Sequence, residues 1–155
     1  MSDITVTLIR DEISPELQRI ARELSGAGRR RVLQVLGAGL VNLTQQAFKD
    51  ASLRPLPWPP LKYRKEFNAA GKRIGIPLVK TGQLMRGIHI SELTEDHVTV
   101  QPTVPYAIYH QLGAPKAHIP PRPFFPVTEN QQFTPLARER LDAIFRASVE
   151  RILKS

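Results

Sequence analysis

Four histidines, His89, His97, His110 and His118, are the first candidates for chemistry in this chain. A metal site would want them joined by Asp, Glu or Cys at short helical or hairpin spacing, and Cys is absent. His89 and His97 fall on one predicted hairpin, where a solvated polar face accounts for them better than a cross-strand metal pair. His110 lies between Tyr109 and Gln111 and reads as a structural, hydrogen-bonding histidine. No His-Glu-x-x-His, P-loop or nucleophile elbow occurs. The carboxylates are scattered over predicted helix exteriors, whereas catalytic carboxylates need shared burial. No cofactor, metal or catalytic centre is therefore expected. Pro120-Pro121-Arg122-Pro123 fits a PxxP ligand in form. A local role is the better account: prolines stop sheet pairing, and Phe124 and Phe125 beside them need burial.

The elements that must position these residues can be read from spacing. Residues 4–9 (ITVTLI) alternate like a strand. Ser14-Pro15-Glu16 starts a helix, and Ser25-Gly26-Ala27-Gly28 interrupts it. A long helix is predicted over 29–51, with Val32, Leu36, Leu40, Leu43 and Ala47 on one face. Gly37 and Gly39 inside it point to close packing against another element. Thr81 caps a turn over 82–86. Residues 87–93 and 97–103 form a hairpin, with Ile88, Ile90, Val98 and Val100 facing inward. Pro105 to Leu112 fits a short helix stopped by Gly113, and 119–126 must be extended. Thr134-Pro135 starts a last helix striped by Leu141, Ile144, Phe145, Ser148 and Ile152. The expectation is one α+β domain over 1–155: an antiparallel sheet around the hairpin, packed by the long helix and the C-terminal helix.

Length and composition agree. The chain has 155 residues and 41% hydrophobic content, enough for one core. No apolar run approaches the ~20 residues of a membrane helix, and the start of the chain lacks the pattern of a signal peptide. A soluble protein made in the cytoplasm is expected. The net charge is +8. Six of those charges fall in 51–80, where seven Lys or Arg residues meet the single acid Glu66. Such a segment suits phosphates or an acidic protein surface. Its prolines and charges make 53–77 a long loop, the segment expected to be most mobile. Trp58, Tyr63 and Phe67 stand among its basic residues, so a nucleic-acid-binding module is the alternative function. No helix-turn-helix, zinc-finger or RNA-recognition signature accompanies them.

Three motifs in order carry a further signal: Leu78-Val79-Lys80-Thr81-Gly82-Gln83-Leu84 with Arg86 and Ile88, then Tyr106-Ala107 with His110-Gln111-Leu112-Gly113, then Ile119-Pro120-Pro121-Arg122-Pro123-Phe124. Together with Trp58-Pro59-Pro60-Leu61 they resemble the bacteriophage virion morphogenesis or tail completion family of contractile-tailed phages and prophages. The resemblance covers roughly 55–127, with helices on both sides. It implies a non-enzymatic assembly protein that completes the tail or joins it to the head as a neck-ring subunit, homo-oligomeric when assembled. The implied partners are other tail and neck proteins: the tail terminator, the tail tube and the head connector. Packaged DNA is a further implied contact. The implied location is the host cytoplasm during assembly and then the virion. Trp58, Tyr63, Lys65, Thr81, Gly82, Tyr106, His110, Gln111, Arg122 and Phe124 are the expected assembly interface.

Overall fold

Ser25 sets the start of the longest helix. Its backbone is extended and its Oγ accepts from the Gly28 N–H at 3.1 Å, which satisfies one of the orphan donors of a first turn. In the computed structural model, which describes residues 6–9, 24–59, 82–128 and 130–154, helix α1 therefore runs Gly26–Ala47. The expected start near Arg29 was too late, because the Ser-Gly-Ala-Gly interruption is itself a cap. The expected end near Ala51 was too late as well. Asp50 accepts from the Ser52 N–H and hydroxyl at 3.0 and 2.7 Å and opens a separate 3-10 turn, Ala51–Leu53. Arg54 then reaches back, donating from Nε to Ala47 O at 2.6 Å and from Nη2 to Phe48 O at 3.0 Å. A cation thus occupies the open carbonyls at the end of α1, where the helix dipole is negative.

Three antiparallel strands form one sheet in the order β1-β3-β2: β1 Val6–Ile9, β2 His89–Leu93 and β3 His97–Gln101. The hairpin falls where expected. Thr94 Oγ1 accepts from the N–H groups of Asp96 and His97, both at 3.1 Å, and so builds its turn. The β2–β3 register slips between Ile90 and Glu92, so Ser91 is a bulge that twists this edge strand. Val98 and Val100 are fully buried beneath α1. A Cβ on Gly37 would lie 2.6 Å from Val98 Cγ2 and 2.9 Å from Ile90 Cδ1. The glycine lets the helix backbone approach the sheet.

Helix α4, Pro135–Lys154, covers the other flank of α1. Thr134 caps it, accepting from the Ala137 N–H at 3.3 Å. It buries Leu141, Phe145, Ser148 and Val149, with Ile144 and Ile152 half-buried against the core. Val149 was missing from the expected stripe. Two short helices complete the framework, α2 Gln83–Arg86 and α3 Ala107–Leu112. The fold is α+β, with the long helix and the C-terminal helix where the spacing predicts them. Among the described residues no helix is long and apolar enough to cross a membrane. The expected helix from Ser14 and most of the basic loop, 60–77, lie outside the described residues.

Candidate functional site

Proline-rich chain has carbonyls but few N–H groups, so it must be fixed by donors from elsewhere. Two such segments meet in this protein, 55–59 and 119–126, and side chains supply the donors. Trp58 Nε1 donates to Pro123 O at 2.8 Å. Arg122 Nε donates to Pro59 O at 3.1 Å. The two segments thus hold one another, each through the other's carbonyl.

Helix α3 supplies the third strut. Its end is set by Gly113, whose φ of 79° lies in the region that favours glycine. A Cβ there would stand 3.0 Å from Pro121 Cδ and N, so the proline segment passes directly over the helix end. Ala114 and Ile119 then exchange backbone hydrogen bonds at 2.9 and 3.0 Å around the turn Pro115–Ala117. Gln111 Oε1 accepts from both Phe124 N–H and Phe125 N–H, at 2.9 and 3.1 Å. The carbonyl of His110 accepts from the Arg122 N–H at 2.7 Å. The Tyr-Ala-x-x-His-Gln-x-Gly and Ile-Pro-x-Arg-Pro-Phe motifs are therefore two halves of one latch.

Apolar packing closes the back of it. Phe124 and Phe48 have no exposed surface and stack at 5.3 Å between ring centroids. Trp58 meets Phe48 edge-on at 5.9 Å, and the Arg54 guanidinium sits 3.6 Å over the indole. Between the struts, facing outward, is a groove of about 410 Å³. Pro55 and Leu56 form one wall and Leu112, Pro121 and Pro123 the other, and Gln111, Val127, Thr128 and Asn130 complete the lining. Leu112 is 67% exposed and Leu56 47%.

The sequence-selected residues divide three ways. Trp58, His110, Gln111, Arg122 and Phe124 are brought together. Phe124 is core, and Arg122 is buried, so neither presents a surface in this fold. Tyr106 is exposed and stands edge-on to the His110 ring at 5.8 Å. Gly82 is elsewhere: it precedes α2, with φ 73°, and α2 lends nothing to the groove lining. Tyr63, Lys65 and Thr81 lie outside the described residues. The first part of the expected mobile loop, 53–59, is tied down by Leu53, Arg54 and Trp58.

His110 corrects one reading. Its main chain bonds, but its ring Nδ1 is buried with no hydrogen-bond partner among the described residues. Burial, and then the nearby Arg122 charge, push its pKa below the ordinary histidine value. Both causes favour the neutral ring. The hairpin histidines are engaged locally. His89 Nδ1 donates to Gly87 O at 2.9 Å. His97 faces Thr94 Oγ1 at 3.2 Å and Glu92 Oε2 at 3.3 Å.

Sequence reasoning missed Leu56 and Leu112, since an apolar residue reads the same whether it faces core or solvent. It also missed Gln111 as a backbone clamp. The signal for Gln111 was the supply of donors in Phe124 and Phe125, the two consecutive non-proline residues that follow Pro123. The phage virion morphogenesis family model matches residues 10–145 of the chain. No curated protein and no solved structure matches it.

Proposed function

The chain belongs to the phage virion morphogenesis family, and from that premise we propose that it completes the tail, or joins tail to head, as one subunit of a neck ring. The groove between α3 and the two proline segments is its docking surface. One observation carries this reading. The motifs at 58–59, 106–113 and 119–124 serve no common chemistry, yet they brace one another around a groove that leaves two leucines exposed. Exposed apolar side chains on a rigid, cross-braced frame are what a docking partner can desolvate without paying for reorganisation. We read no catalytic role into it. The tail terminator, the tail tube and the head connector are the neighbours such a subunit would meet, first in the host cytoplasm and then in the virion. The basic residues of 62–80 are the ones to face packaged DNA or an acidic neighbour.

The alternative of a nucleic-acid module is weakened at Trp58. Its indole is half-buried against Phe48 and lies under Arg54, so it offers a base little stacking platform.

Complementation tests the proposal. A phage lacking this gene is supplied with the chain carrying Leu56→Ser and Leu112→Ser, and particles are counted by electron microscopy. Both side chains are exposed, so folding persists and thermal denaturation stays near that of the parent. The expected result is tailless heads or unjoined tails, with infectious yield down at least about tenfold, the loss expected when a central apolar anchor worth ~1.4 kcal/mol or more is removed. Normal yields of tailed particles would remove the groove from assembly.

A further inference from the structure

We propose that the groove takes an apolar segment flanked by carboxylates from a different virion protein, rather than a second copy of this chain or nucleic acid. This rests on the reading of the chain as an assembly subunit, and it adds the chemistry of the partner.

The walls decide how the partner is held. Pro55, Pro121 and Pro123 have no N–H to give, so at those positions a bound strand would find no main-chain donors, and strand addition is disfavoured. Exposed Leu56 and Leu112 instead call for inserted apolar side chains. The lining contains no Lys, no Arg and no aromatic residue among the described residues. Nucleic acid needs one or both of these within its groove.

The polar atoms decide the flanks. Gln111 has its oxygen committed to Phe124 and Phe125, so its amide has only N–H donors left to offer an acceptor. No Asp or Glu occurs from His97 through Thr128. Glu129, the next acid, falls in the chain between the lining residues Thr128 and Asn130 and lies outside the described residues. Lys116 and His118 stand exposed on the turn that joins Leu112 to Pro121 within one wall. Among the described residues the surroundings thus present the Gln111 N–H donors and the charge of Lys116, which carboxylates complement. A second copy docked through this same face would bring only the same Lys116 and acid-free 97–128 stretch against it, and no carboxylate from them.

The test uses the full chain in cells producing a phage deleted for this gene. The photo-crosslinker p-benzoylphenylalanine replaces Leu112, an exposed position, and the crosslinked peptide is sequenced by mass spectrometry. In parallel, Leu112→Glu and Leu112→Lys are compared for infectious yield. Both lose the apolar contact, and they differ in the sign of the added charge. The expected adduct is a peptide of another virion protein with apolar residues flanked by Asp or Glu. Leu112→Glu should lower the yield about tenfold further than Leu112→Lys, since like charges meet in the first and opposite charges in the second. An adduct with a second copy, with nucleic acid or with a peptide free of acids overturns the proposal. Equal losses in the two variants would leave the groove as an assembly contact and overturn the carboxylate partner. No loss in either variant, with no adduct, would overturn the docking reading itself.

Discussion

Gln111 is the residue on which the latch turns. Two consecutive backbone N–H groups, of Phe124 and Phe125, depend on its single side-chain oxygen. Both lie in a buried run that starts at Arg122, where water does not readily replace a lost acceptor. Leaving a buried donor unsatisfied costs about 1–3 kcal/mol, so Gln111→Leu should destabilise the fold by about 2–4 kcal/mol for the pair. Gln111→Glu keeps an acceptor at the same reach and should recover most of that stability. Chemical denaturation of the two variants reads the difference. Equal destabilisation by both would show that side-chain shape, and not the acceptor, holds the proline segment. The neighbouring Arg122 is a different case. Burial lowers its pKa, yet an arginine stays charged at neutral pH, and its Nε bond to Pro59 O keeps that charge useful.

At the scale of elements, α1 is the part that everything else packs on, and its two interior glycines have different reasons. Each costs about 1 kcal/mol of helix propensity against alanine. At Gly37 a new Cβ would press on Val98, a stiff β-branched side chain in the middle of the sheet, and on Ile90. Gly37→Ala should therefore destabilise by about 1–3 kcal/mol despite better propensity. At Gly39 the close contact is Ile144 Cδ1 at 2.6 Å, the far end of a half-buried side chain on α4. That chain can turn aside, so Gly39→Ala should fall within about 1 kcal/mol of the parent, on either side. Thermal melts of the two variants check the contrast, and a Gly37→Ala protein as stable as the parent would mean the helix stands off the sheet. The same elements show what the sequence discloses. The Thr134-Pro135 start, the hairpin and the Gly113 stop were legible because each signal lies within a few residues of what it controls. The cap at Ser25 was equally local, and its glycines were misread as a break. The Ser91 bulge depends on cross-strand register, which no local pattern carries. The bond from Trp58 to Pro123 spans 65 residues and ends on a carbonyl, which every residue has. That is why Trp58 was expected at a free surface and is found bracing two segments. Phe124 could be read as needing burial, but only its place against Phe48 assigns it to the core.

At the scale of the whole molecule, an α+β frame holds two exposed leucines, Leu56 and Leu112, on one cross-braced edge, while Leu153 is exposed near the end of α4. That edge is built from the family-like motifs of the second half of the chain together with Trp58-Pro59. A ring subunit meets its own copies through two different faces, and the groove is proposed as a further face for an unlike neighbour. We propose the strongly basic stretch of 51–80 as a second, electrostatic means of contact. The most direct measurement is electron cryomicroscopy of the neck of a phage that carries this chain. The account predicts density for this fold at the junction of head and tail, with Leu56 and Leu112 buried beneath a neighbouring protein of the tail or the head. Finding the chain in the assembled neck with both leucines facing solvent, or finding it absent from the junction, would contradict the account.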